Sequence, residues 1–245
     1  MKVLTEAELR SARVSPETES WHVSRDTFVT PLAREYLRDR GVALVFDGHE
    51  TMSRTPVEPR GGGPYVDGVT GERLPEKPEN MTHLHGSVLV DKTHPRMELR
   101  GGLDCLQAEI LLLQEECRGP LREDLEDLLR FVRAILGAEV KEQPLRGTAL
   151  LGLSLDEVRR QSHSVREVFG MDHPVPDGSM GRTALRLNLL RARARQVELA
   201  AVRAFPAGER PDIVEHLNRL SSGIYLLFCR EVSGYYQRKG GQTDG

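Results

Sequence analysis

Residues 181–205, GRTALRLNLLRARARQVELAAVRAF, decide the fold. Plotted at about 100° per residue, Leu187, Leu190, Ala194, Val197, Ala201 and Phe205 fall on one face at spacings of three and four, which predicts a helix with a buried stripe. Arg191, Arg195 and Glu198 recur beside that stripe at intervals of four and three. Two readings of this charged edge stand open. One is a solvated ladder of i,i+4 pairs. The other is a set of guanidiniums and a carboxylate at the margin of a core, where planar bidentate donors suit phosphate.

Working outward, four more segments carry the same periodicity. Residues 103–117 place Leu103, Leu106, Ile110, Leu113 and Cys117 on one face. Pro120 opens a helix whose face is Leu121, Leu125, Leu128, Leu129, Val132 and Ile135, with Gly137 as its stop. Ser154 caps a helix running to Gly170, and residues 145–153 form a connector. Residues 212–236 repeat Ile213, Leu217, Leu220, Ile224, Phe228 and Tyr235. Proline and glycine exclude a helix over 171–181. Five helices with mostly short connections predict an all-α chain built as a five-helix antiparallel bundle, with no βαβ alternation for a dinucleotide fold.

The N-terminal part differs. Residues 1–50 predict a small α/β module: a Thr5/Glu8 capping box, a helix opened by Thr30-Pro31 and stopped by Gly41, and a strand over 42–46. A docking role and a structural one are equally open for it. Residues 51–80, rich in proline and glycine, read as an irregular linker with a tight turn at Asp67-Gly68. The run Gly61-Gly62-Gly63 lacks the strand–GxxxxGK[ST]–helix setting of a phosphate loop. Residues 81–238 make up the bundle domain, and 239–245 a disordered tail. Within 81–100, Thr82, His83, His85, Ser87, Lys92, His94 and Arg96 surround a short VLV strand. Such a loop suits a polyphosphate; no cysteine completes a tetrahedral metal set with His83 and His85.

The bulk numbers set bounds. The chain has 245 residues, 38% hydrophobic and 29% charged, with a net charge of −3. Near-neutral charge gives no electrostatic case for nucleic acid, and no apolar run reaches membrane-spanning length. The three cysteines have no CxxC spacing and read as buried hydrophobes of a reducing, cytoplasmic compartment.

Three stretches, in order, resemble the ATP:corrinoid adenosyltransferases, above all their ethanolamine-utilisation branch. MTHLHGSVLVDKTHPRMELRGGLDCL (81–106) is similar to that branch's Thr-His-Leu … Val-x-Lys-x-x-Pro-Arg-Ile … Gly-x-Leu-Asp run. LRARARQVE (190–198) is similar to the family's Arg-x-x-x-Arg-x-x-Glu helix, and HLNRLSSGIYLL (216–227) to its Leu-Asn-Arg-Leu-Ser-Asp-Tyr-Leu-Phe helix. The N-terminal TEAELR and TPLAREYL also look like the appendage of that branch.

The resemblance implies transfer of the 5′-deoxyadenosyl group of ATP to cob(I)alamin, with Mg²⁺ accompanying the nucleotide. It implies that Thr82, His83, Ser87, Lys92 and Arg96 belong to the nucleotide loop. Asp104 would pair with Arg191 across a subunit interface, Arg195 and Glu198 would hold triphosphate and Mg²⁺, and Asn218 would contact ATP. Phe169 and Val175 are candidates for the corrinoid side, with core packing the competing reading of Phe169. The implied assembly is a homo-oligomer, dimer or trimer, with sites between subunits. A corrinoid reductase and an ethanolamine ammonia-lyase are implied partners, and a bacterial microcompartment an implied setting.

Departures from the pattern matter as well. The glycine- and threonine-rich phosphate loop of the propanediol branch is not recognisable. The His…Cys-Cys-x-x-Cys cluster of the metal-binding ethanolamine enzymes is missing, so no structural metal is expected. Ser222 and Gly223 replace an Asp-Tyr pair, which loosens one corner of the implied site. A non-catalytic carrier or sensor of adenosylcobalamin, and a helical scaffold that docks to a microcompartment, are the competing functions.

Overall fold

In a computed structural model of the chain, the described residues are 2–12, 20–24, 27–38, 40, 42–47 and 62–240. Contacts divide the chain into two compact units, residues 1–58 and 59–245. In the first, β1 (Lys2–Leu4) pairs in parallel with β3 (Thr27–Val29), and β2 (Ser20–Ser24) with β4 (Ala43–Asp47). Helix α1 (Glu6–Ser11) begins at the expected capping box: Thr5 N–H donates to Glu8 Oε2 at 2.8 Å, and Glu8 N–H to Thr5 Oγ1 at 3.3 Å. Helix α2 (Pro31–Arg38) follows Thr30, whose hydroxyl accepts from Ala33 N–H at 3.3 Å. Leu4, Leu9, Val23, Val29, Ala33, Leu37 and Val42 form its core. The expected stop at Gly41 lies outside the described residues.

The second unit begins with a sheet where the sequence reads as linker and loop. Strands β5 (Tyr65–Asp67), β6 (Arg73–Leu74), β7 (Met81–His85) and β8 (Val88–Asp91) lie in the order β6-β5-β8-β7. β5 runs parallel to β8 with Val66 opposite Val88, a pairing that local periodicity cannot reveal. The Asp67-Gly68 turn forms as expected, Asp67 Oδ1 accepting from Val69 N–H at 2.8 Å and Thr70 N–H at 3.0 Å. A Cβ on Gly63 would land on the Leu74 carbonyl. That glycine therefore serves close backbone approach. β7 and β8 form a hairpin that leads directly into the bundle.

Four long helices follow: α3 (Pro95–Glu116), α4 (Gly119–Val140), α7 (Gly181–Ala204) and α8 (Pro211–Val232). Between α4 and α7 lie α5 (Leu155–His163) and α6 (Val165–Phe169), and α9 (Tyr235–Gly240) ends the described chain. Contacts run α3–α4, α4–α8, α8–α7 and α7–α3, so the long helices close a ring, with α5 packed on α8. Their pairing is antiparallel: Glu98, Glu109 and Glu116 of α3 meet Arg203, Arg193 and Arg186 of α7 in reverse order. The predicted stripes are the core. Leu103, Leu106, Ile110, Leu125, Leu187, Ala194, Ile213 and Leu220 are among its fully buried members, each fully buried leucine contributing roughly 1.5–3 kcal/mol. Gly102 lets α3 approach α7, since a Cβ there would meet Val197 at 2.9 Å.

Three boundaries differ from expectation. α3 starts eight residues early, because Pro95 takes the first helical position and His94 Nδ1 accepts from Arg96 N–H at 3.1 Å. The predicted 154–170 helix breaks at Ser164, whose ψ of 45° leaves the helical range. The last helix breaks at Gly234, whose φ of 73° suits glycine. Residues 235–240 then turn again as α9, held where Arg230 Nη1 and Tyr236 Oη both donate to Asp124 Oδ2 at 2.8 and 2.7 Å. Cys117 and Cys229 are buried as expected, but Cys105 is exposed. It lies two positions from Leu103, on the opposite side of α3 from the core stripe.

Candidate functional site between the last two long helices

α7 and α8 carry candidate functional residues at two levels. At the first, Asn218 Nδ2 donates to Glu198 Oε1 at 2.8 Å. The second Glu198 oxygen has no hydrogen-bond partner among the described residues. Both side chains line a cleft of about 520 Å³, together with Val202, Phe205, Val214, Glu215 and Arg219. Arg195, one turn from Glu198, is exposed and makes no hydrogen bond or ion pair with any described residue. An uncommitted guanidinium beside a carboxylate with a free oxygen is a donor set for a phosphate and a hard cation.

At the second level, a rise of about 1.5 Å per residue puts Arg191 roughly 10 Å along α7 from Glu198. Arg191 Nη2 donates to Asn188 Oδ1 at 3.1 Å, and its guanidinium lies 5.8 Å from the centre of the Tyr225 ring. Tyr225 Oη is 2.8 Å from His173 Nδ1, and the two rings stack at 6.0 Å. The segment after α6 is thereby held against α8. Burial and then the neighbouring Cys229 thiol push the Tyr225 phenol up to about 12, so it stays neutral. Burial likewise raises Cys229 to about 11, against a hydrogen bond from Tyr225 and the charge of Arg191 that lower it. Phe169 is half-buried against the bundle core, whereas Val175 is 79% exposed.

The β7–β8 hairpin bears the remaining predicted residues, on strands and turns. Thr82 pairs with Val90 within the sheet. His83 Nδ1 lies 3.0 Å from the Gly86 carbonyl oxygen, and Ser87 is exposed in the turn. Lys92 is exposed after β8, its backbone N–H donating to the Asn80 carbonyl at 2.8 Å. Among the described residues, no hydrogen bond or ion pair joins this hairpin to Arg195, Glu198 or Asn218. Asp104 is exposed on α3; it accepts from Gln107 Nε2 at 3.3 Å and forms no ion pair within the chain's described residues.

Arg96 is committed elsewhere. Its Nε donates to Glu139 Oε1 at 2.5 Å, its Nη1 to Glu142 Oε1 at 2.8 Å and its Nη2 to the Glu139 carbonyl at 3.0 Å. Arg100 Nε takes the other oxygen of Glu139 at 2.5 Å, while its Nη2 donates to the Leu84 carbonyl at 2.8 Å. Glu139 is fully buried. This cluster ties strand β7 to α3 and α4. Arg96 also lies 5.8 Å from the centre of the Phe205 ring, which lines the cleft. The hairpin's anchor and the Glu198 cleft therefore share one end of the bundle.

Residues 75–231 match the family model described as cobalamin adenosyltransferase. The chain belongs to the cobalamin adenosyltransferase family. It is similar to the corrinoid adenosyltransferase EutT of Escherichia coli strain K12, at 32% identity over 247 residues, 94% of this chain and 92% of that protein. The EutT of Salmonella typhimurium is 33% identical over 248 residues, with the same coverage. No solved structure matches. The resemblance read from the three motifs is thus supported along almost the whole adenosyltransferase chain.

Sequence reasoning missed Arg100, Glu139, Tyr225, Glu215 and Arg219. The first two are 39 residues apart and show no shared periodicity. Tyr225 gave a signal, an aromatic one position off the core stripe of α8. The corner expected to be loose is filled: a Cβ on Gly223 would land on Leu150 Cδ2. Leu150 of the connector fills the space beside Gly223.

Proposed function

We propose that this enzyme transfers the 5′-deoxyadenosyl group of ATP to cob(I)alamin, giving adenosylcobalamin and triphosphate. The observation that carries the reading is the Glu198–Asn218 pair on an open cleft, with the uncommitted Arg195 one turn away along α7. Cobalt(I) of the reduced corrinoid supplies the electron pair for the new bond to C5′ of ATP. The C5′–oxygen bond breaks, and its electrons leave on triphosphate. The substrate metal is the nucleophile, so the protein's work is alignment, charge neutralisation and exclusion of water.

Arg195 neutralises charge on the departing triphosphate, and Lys92 and the hairpin residues Thr82, His83 and Ser87 wrap it. Glu198 would hold Mg²⁺, a hard cation that takes carboxylate and phosphate oxygens. Mg²⁺ bound there would shield phosphate charge. Asn218 orients Glu198 and borders the nucleotide. Arg96 acts one step back, through Glu139, by holding the hairpin. Val175 offers an exposed apolar surface on the corrinoid side, and Phe169 supports its loop from the core.

The site is completed by a second copy of the chain. Asp104 and Arg191 both lack ionic partners among the described residues of one chain. Asp104, Cys105, Ala108 and Leu112 recur at exposed positions on α3, as do Leu185, Leu189, Arg195 and Leu199 on α7. Such apolar faces edged by unpaired charges fit a symmetric assembly in which Asp104 of one copy meets Arg191 of the next. In this reading an ethanolamine ammonia-lyase takes the product and a corrinoid reductase supplies cobalt(I).

Anaerobic mixing of the protein with cob(I)alamin and Mg²⁺–ATP, followed by the visible spectrum, tests the reading. Conversion to the adenosylcobalamin spectrum is expected. Arg195→Ala should slow it about 100- to 1000-fold, by analogy with loss of an oxyanion donor, with unchanged far-UV circular dichroism. Binding of adenosylcobalamin without turnover would favour a carrier instead.

A further inference from the structure

Arg219 is 8% exposed and lines the same cleft as Glu198 and Asn218. Its Nη1 donates to Asn218 Oδ1 at 2.5 Å, its Nη2 is 4.0 Å from Glu215, and its Nε is buried without a partner. A guanidinium only donates and a carboxylate only accepts. With Arg219 on one side and Glu198 on the other, the Asn218 amide has a single orientation that satisfies both. Burying a guanidinium with so few partners costs stability, and an apolar side chain would serve packing better.

We infer that Arg219 is a positioning residue of the transfer reaction: it holds the Asn218 carbonyl, turns the amide N–H groups to Glu198, and so fixes the carboxylate in the cleft. The inference rests on the reading that Glu198 and Asn218 serve Mg²⁺–ATP. Without Arg219 the amide is free to flip and present its oxygen to the Glu198 oxygen, which repels it. Glu198 then swings away from the geometry the nucleotide needs.

The test is a double-mutant cycle on the full-length protein, with Arg219→Met, Asn218→Ala and the pair. kcat, KM for ATP and for corrinoid, and the calorimetric Kd for Mg²⁺–ATP are the readouts. Each single variant should weaken Mg²⁺–ATP binding or turnover by about 10-fold or more, as partners of a ligating side chain do. KM for corrinoid should stay within about twofold, and the pair should be no worse than Asn218→Ala alone, because both act in one chain of contacts. Arg219→Lys, which keeps the cation, should recover part of the loss; it takes the place of Arg219→Met in the cycle if that variant melts early. Effects that multiply, or an Arg219 variant at full turnover beside a crippled Glu198→Gln, would overturn the relay alone. Glu198→Gln and Asn218→Ala at full turnover would overturn the nucleotide reading, and the relay with it.

Discussion

Replacing Glu139 by glutamine removes one negative charge from between two guanidiniums and leaves the shape of the side chain intact. Glu139 is fully buried, and the Arg96 and Arg100 side chains keep only 12% and 16% of their surface exposed. The variant therefore strands two cations in a poorly solvated place, where breaking a buried pair costs about 3–5 kcal/mol. For a domain of this size, each kcal/mol moves the melting midpoint by roughly 2–4 °C, so a fall of about 6–20 °C is expected. Thermal unfolding followed at 222 nm measures it, since the helices dominate that signal. Glu142→Gln is the control: Glu142 meets Arg96 at 2.8 Å but is 47% exposed, and exposed pairs contribute about 0–1 kcal/mol. A Glu139→Gln midpoint no lower than that of Glu142→Gln would refute the reasoning. So would a loss of stability that left Mg²⁺–ATP binding to the hairpin untouched after correction for the unfolded fraction.

Two further outcomes follow from the bundle. Burial would raise Asp212, but the Arg210 side chain and the Leu145 N–H outweigh it and hold the carboxyl at about 2, below its unfolded value of 3.8. Its contribution, on the order of 2 kcal/mol, is full above the unfolded pKa and is lost as pH falls through about 2; Asp212→Asn should flatten the acid limb of a stability–pH curve. At Gly223, alanine improves helix propensity by about 1 kcal/mol but collides with Leu150, and overpacking costs about 1–3 kcal/mol. Denaturant titration should show net destabilisation in Gly223→Ala, relieved by adding Leu150→Val; a more stable single variant would show that the connector yields.

The helical stripes were legible because a single helix writes its core onto its own sequence. Leu187, Leu190, Ala194 and Val197 needed no partner to be recognised. The sheet was not legible, because strands of two to five residues are too short for a period, and β5 finds β8 more than twenty residues away. Proline and glycine, which suggested a linker, are there to turn the chain between those strands. Along the charged edge of α7, Glu198 meets Asn218 while Arg195 stays exposed. The tie from Arg96 to Glu139 was not legible, because that partner sits on another helix and leaves no trace near Arg96 in the sequence. Long-range charge pairs are chosen by packing, and packing is what a local pattern omits.

Arg100 grips strand β7 by main-chain carbonyls, those of Leu84 and His83, and ignores what the strand displays. Side chains at positions 83–85 can therefore be exchanged wholesale while the fastening persists. For anyone wishing to retune which nucleotide this protein accepts, that makes the hairpin a cassette: randomise its decoration, leave the carboxylate and its two arginines alone, and the frame will present each new version at the same height.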